Sequence, residues 1–186
     1  MLYRAFSGAK ALETVILPEG MTNLGYQSFE GCTALKSINL PSTIVEFSAT
    51  TVAANGTVLE HEGGTFKNSG LVSITLPAGL KRIPDELFSG CASLTEVNLP
   101  DGLEEIDYQA FYNCKAITSL VLPANVTLVG KNVFYYWTAD QTIYVQQSKA
   151  YAGATWYYVK DTDSWSYQSK AVMVYDYQPV VNGDQK

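Results

Sequence analysis

The chain has 186 residues, 47% of them hydrophobic, with a net charge of −6. That is enough apolar material for one continuous core and short for two independent domains. The 12 Lys and Arg are scattered, with no basic stripe, which argues against nucleic-acid binding. No apolar run reaches the roughly 18 residues a membrane-spanning helix needs.

Met1-Leu2-Tyr3-Arg4 runs straight into a pattern that then recurs. Leu-Pro returns as Leu17-Pro18, Leu40-Pro41, Leu76-Pro77, Leu99-Pro100 and Leu122-Pro123, with Pro spacings of 23, 36, 23 and 23. A Phe follows most of these Pro residues by 11 positions, as Phe29, Phe88, Phe111 and Phe134. Phe6 opens the series, and Phe66 joins it once an insertion is allowed. Self-similarity at this period is the signature of a leucine-rich solenoid. A chain that begins inside a repeat is expected to be a piece of a larger protein, with any export signal upstream of Met1.

Within one unit, Val97-Asn98-Leu99 alternates and predicts a short strand, ended by Pro100. Leu103 and Ile106 supply an apolar pair on the return side. Pro84-Asp85-Glu86 predicts a helical turn, with Pro at its first position and Gly90 closing it. Stacked coils then form ladders of like side chains. The Phe ladder is Phe6, Phe29, Phe66, Phe88, Phe111 and Phe134; the inner strand ladder is Val15, Ile38, Ile74, Val97, Leu120 and Ile143.

Between Phe47 and Phe66, the segment 48–61 (SATTVAANGTVLEH) interrupts the period. Asn55-Gly56, flanked by Val52 and Val58, predicts a small extruded hairpin. The last coil decays: Trp137 stands where Cys recurs, and Asp140 where Leu recurs, while Ile143-Tyr144-Val145 still predicts a strand. The solenoid is therefore assigned to residues 1–145. Residues 146–186 do not repeat and hold Tyr151, Trp156, Tyr157, Tyr158, Trp165, Tyr167, Tyr175 and Tyr177. They are expected to form an aromatic C-terminal cap, with a strand across Ala171 to Tyr177. The alternative is an aromatic platform for carbohydrate.

The 3 cysteines, Cys32, Cys91 and Cys114, each fall three residues after the repeat Phe. They read as small buried hydrophobes, not as a disulfide framework, although Cys91 and Cys114 lie on adjacent coils. His61 is the only His; Glu60-His61-Glu62 lacks the second His of a zinc helix, so neither metal nor cofactor is expected. No Gly-x-Ser-x-Gly elbow, phosphate-cradling Gly motif or Cys-x-x-Cys occurs, and Glu104-Glu105 reads as a solvated turn pair. The expectation is that the chain is not an enzyme.

The unit Phe-x-x-Cys-x-x-Leu-x-x-Ile-x-Leu-Pro strongly resembles the BspA-like, or treponemal-type, leucine-rich repeat, over roughly residues 5 to 145. Ile143-Tyr144-Val145, Lys149-Ala150-Tyr151 and Trp156 also resemble the terminal cap of such proteins. The resemblance implies an α/β repeat solenoid, a horseshoe of about six coils. It further implies a surface or secreted protein of a host-associated bacterium that adheres to host or microbial proteins.

The strands' outward positions are the default binding face of a horseshoe. They predict a protein-binding surface of Ser37, Asn39, Ser73, Thr75, Glu96, Asn98, Ser119, Val121 and Tyr144. The expected product is a monomeric, noncatalytic module for a host or microbial surface protein, with a glycan as a further candidate partner. The competing functions are a carbohydrate-binding module using the C-terminal Tyr and Trp residues, and a structural spacer with no ligand of its own.

Overall fold

A computed structural model describes residues 3–52, 54–155 and 169–179. Its architecture is a parallel solenoid with a short hairpin set into the third coil. On one face lie the strands that alternation predicts. β3 (Ser73–Thr75) pairs in parallel with β5 (Glu96–Asn98), one coil apart, through Ser73 opposite Glu96. β7 (Ser119–Leu122) pairs in parallel with β9 (Thr142–Val145). On the return face, β4 (Arg82–Ile83), β6 (Glu105–Ile106) and β8 (Leu128–Val129) form a second parallel ladder. β1 (Ser48–Val52) and β2 (Val58–Glu62) form the hairpin, and α1 (Lys149–Thr155) and β10 (Val172–Val174) follow the last coil.

Between these faces runs one core. Phe29, Phe66, Phe88, Phe111 and Phe134 are fully buried. Neighbouring rings stack at 5.8, 6.0, 5.4 and 6.1 Å along that series. Phe6 opens the stack 5.4 Å from Phe29, but is itself exposed. Each fully buried Phe or Leu contributes about 1.5–3 kcal/mol, so the ladders account for the stacking of coils that could not fold singly.

The helical turn predicted at Pro84-Asp85-Glu86 does not form. In its place each coil makes consecutive tight turns containing two left-handed residues. One column is Arg4, Gln27, Gly64, Glu86, Gln109 and Asn132; the other, four residues on, is Gly8, Gly31, Asn68, Gly90, Asn113 and Tyr136. The physical reason is where the N–H groups go. Alternate amides point along the solenoid to the next coil: Glu86 to Tyr108 O, Phe88 to Ala110 O and Gly90 to Tyr112 O, at 2.8–2.9 Å. A helix would have consumed these donors within its own turn. The solenoid therefore contains little helix.

The three cysteines are free and buried. Their shared position has a hydrogen-bonding reason. Cys32 Sγ donates to Phe6 O at 3.1 Å, Cys91 Sγ to Phe66 O at 2.9 Å, and Cys114 Sγ to Phe88 O at 3.1 Å. Trp137, which stands in this column in the last coil, repeats the contact with its indole: Nε1 donates to Phe111 O at 2.9 Å. The substitution preserves the donor and adds a large ring, 5.1 Å from Phe134 and edge-on to it at 66°. The replaced Leu is answered by Gln141, one residue after Asp140. It is buried, and its amide donates to Cys114 O and Ile117 O.

The hairpin turns at Asn55-Gly56, with Val52 opposite Val58 and Ser48 opposite Glu62. Phe47 ends the return segment before it, and Gly63 N donates back to Phe47 O at 3.1 Å, so the chain leaves and re-enters the coil at one place. Gly63 has φ +86°, and a Cβ there would lie 1.9 Å from Asp85 O, which no side chain tolerates. Glu62 pairs with Arg82, which also pairs with Asp107, tying the hairpin base to the return ladder. Because both ends of the hairpin meet at its base, replacing Ala49–His61 by Asn-Gly is expected to preserve the fold. Loop length adds little entropy, so the melting temperature should move by only a few degrees. An insoluble variant would show that the hairpin shields core side chains.

After β9, Ala152 of α1 is fully buried, and Ala171, Met173 and Tyr175 pack on the core. β10 pairs in parallel with β9 through Val172 opposite Thr142, in the stretch where alternation predicts a strand. Trp156, Tyr157, Tyr158, Trp165 and Tyr167 lie outside the described residues.

Candidate functional site

The strand face is not one continuous sheet. β3 pairs with β5, and β7 with β9, but β5 and β7 do not pair, and neither does β3 with Ser37–Leu40. Between coils two and three the one backbone bond at this level is Val72 N to Lys36 O, 2.9 Å. The strands part beyond it, and a groove of about 610 Å³ opens.

Six of the residues assigned to binding from sequence line that groove: Ser37, Asn39, Ser73, Thr75, Glu96 and Asn98. Ile38, Ile74 and Leu76 form its apolar floor. Asn98 Nδ2 donates to Thr75 Oγ1 at 3.2 Å and to Glu96 Oε1 at 3.1 Å, which orients the one carboxylate of the set. The chemistry presented is that of hydroxyls, amides and free strand edges. A second cleft, about 310 Å³, brings Ser119 and Val121 together with Glu96 and Asn98. Tyr144 stands apart from both. Its ring lies 4.6 Å from that of Tyr177, so it is held by the segment that follows the solenoid.

Burial pushes the Cys91 thiol up to about 11 and the Cys114 thiol well above its ordinary value, so neither is a ready thiolate. Glu62, Glu105 and Asp107 converge on Arg82, so each carboxylate of this cluster is engaged in an ion pair with its guanidinium. Among the described residues, no group of three His, Cys, Asp or Glu is placed to hold a metal ion, and no helix is long and apolar enough to cross a membrane.

One surface cluster escaped the sequence reading. On the turn edge of the last two coils, the Tyr112 and Tyr135 rings stack at 5.5 Å. Tyr136 stands edge-on to both, at 5.4 and 4.4 Å with interplanar angles of 68° and 78°. The available signal was the 23-residue spacing of Tyr112 and Tyr135.

The profile described as BspA type leucine rich repeat region matches residues 2–57 and 61–173, in six copies. Two crystal structures share the architecture. A leucine-rich repeat protein from Bacteroides ovatus ATCC 8483 aligns with a TM-score of 0.51 and 22% identity, over 92% of this chain and 49% of that one. A leucine rich cell surface protein from Faecalibacterium prausnitzii A2-165 aligns with a TM-score of 0.52 and 27% identity, over 77% of this chain and 41% of that one. The chain thus spans less than half the length of either. No curated protein matches it.

Proposed function

The chain belongs to the BspA type leucine rich repeat family, and we propose that it is the noncatalytic protein-interaction module of a bacterial cell-surface or secreted protein, adhering to host or microbial proteins. Residues 1–145 act as the binding solenoid and 146–186 as its cap. The observation that carries this reading is the groove on the strand face. Six outward side chains from three coils converge there, uncharged but for Glu96, beside strand edges left free. An extended segment of a partner can hydrogen-bond to such edges while hydroxyls and amides set its register. The surface description of the Faecalibacterium relative supports the location. The module is expected to act as a monomer.

The test is binding to a panel of extracellular-matrix and cell-surface proteins, with the whole chain and with the double variant Ser73→Arg, Asn98→Arg. Both residues are exposed, so the change should shift stability by no more than about 0.5 kcal/mol at each position. Two guanidinium groups would fill the groove, and affinity should fall at least about tenfold, or 1.4 kcal/mol. Equal binding by variant and parent would place the interface elsewhere. Absence of any partner on the panel would favour the spacer reading.

A further inference from the structure

We propose that the tyrosine cluster on the turn edge of the last two coils is a second binding site, a platform for neutral sugars. The site is separate from the strand-face groove and does not depend on it. Its first support is the backbone of Tyr136. In the column of left-handed residues four positions after the first, the other coils carry Gly8, Gly31, Asn68, Gly90 and Asn113; only the last coil carries an aromatic, at φ +69°. Gly and Asn occupy that conformation readily, and a bulky side chain does so at a cost. The turn itself therefore favours Gly or Asn over Tyr at this position, and an aromatic held there on the surface points to a task beyond the turn.

The second support is what the ring does there. It is 48% exposed, so it is not in the core. It packs against Tyr112 and Tyr135, closing a corner of three aromatic rings, with Tyr108, 43% exposed, on the same edge. The apolar CH faces of a pyranose pack on such rings, and its hydroxyls need neighbours that both donate and accept. Register supplies them. Asn113 N donates to Tyr135 O at 2.9 Å, which places this amide residue beside Tyr135, and Gln109 follows Tyr108 directly in the chain. A carboxamide donates and accepts at once, which matches a hydroxyl. Lys67, which acts electrostatically on Tyr112, is paired with Glu86 at 2.8 Å. The chain's net charge of −6 disfavours acidic glycans.

The experiment uses the whole chain on an array of neutral oligosaccharides: glucose, galactose, mannose and N-acetylglucosamine hexamers, with heparin and sialyllactose as acidic controls. Two variants accompany it, Tyr136→Asn, which installs the residue that Asn68 and Asn113 show to be acceptable there, and Tyr112→Ala. The expected result is binding of at least one neutral hexamer, weakened tenfold or more in both variants. The melting temperature of Tyr136→Asn should be equal to or above that of the parent, because strain is relieved. The Ser73→Arg, Asn98→Arg variant should bind the same sugar unchanged. No neutral hexamer bound by the parent, or binding only to the acidic controls, would overturn the proposal. So would undiminished binding by Tyr136→Asn, which would send the sugar to another site. A melting temperature many degrees lower in Tyr136→Asn would assign the ring to the fold instead.

Discussion

Phe88→Ala is expected to destabilise the protein by about 3–5 kcal/mol, the range for deleting a fully buried aromatic side chain. Phe88 is fully buried, and its ring is stacked on both sides, 6.0 Å from Phe66 and 5.4 Å from Phe111. The lost ring leaves a cavity in the middle of a column. The column cannot close over it, because the coil spacing is fixed by backbone hydrogen bonds on either side, Phe66 N to Leu87 O and Phe88 N to Ala110 O. For a chain of this size the melting temperature should fall by roughly 6–20 °C. Phe6→Ala supplies the internal comparison. Its ring sits at the open end of the same column and is 39% exposed, so its removal should have a much smaller effect. Equal shifts in the two variants would show that the column is not the axis of stability. Chemical denaturation followed by far-ultraviolet circular dichroism measures both. A single transition is expected, since each coil leans on its neighbours and six copies form a short array.

The parts of this fold visible in the sequence are those that repeat side chains at fixed spacing. Ile74, Leu120 and Ile143 all take the inward position of the strand face, because alternation and the 23-residue period act on the same residues. The hairpin was visible because Asn55-Gly56 sits between Val52 and Val58. The turn segment differs from the sequence expectation because Pro84-Asp85-Glu86 carries real helix-start chemistry, yet the next coil competes for the same donors and wins. The signal that favours the turns was also present. Gly or Asn two residues after Phe, at Gly8, Gly31, Asn68, Gly90 and Asn113, marks a left-handed residue in coil after coil, not a helix end. The groove was half visible. Alternation named Ser37, Asn39, Ser73, Thr75, Glu96 and Asn98 as outward, but that coils two and three part there depends on which strands pair. The tyrosine corner needed the stacking register, which no single coil reveals.

Truncation after Val145 should abolish folding or lead to aggregation. The last coil holds its most apolar cross-section in Val133, Phe134, Trp137, Ile143 and Val145, all buried. The following segment covers that end by specific contacts. Lys170 N donates to Trp137 O at 2.8 Å, Val172 N to Gln141 O at 2.8 Å, and Tyr177 N to Val145 O at 2.9 Å. β10 also occupies the outer edge of β9, which would otherwise present a row of free N–H and C=O groups. Removing it exposes an edge and an apolar end together, and each is a known route to self-association. A point variant separates the two. Met173→Asp keeps β10 long enough to pair but places a charge where Met173 packs on the core. If covering the apolar end matters more than pairing the edge, this variant should lose several degrees in melting temperature and elute as aggregate in size-exclusion chromatography. A monomeric Met173→Asp protein with the parental melt would shift the burden to edge pairing alone. A soluble, folded chain ending at Val145 would refute the cap altogether, and residues 146–186 would then be free for a ligand-binding role.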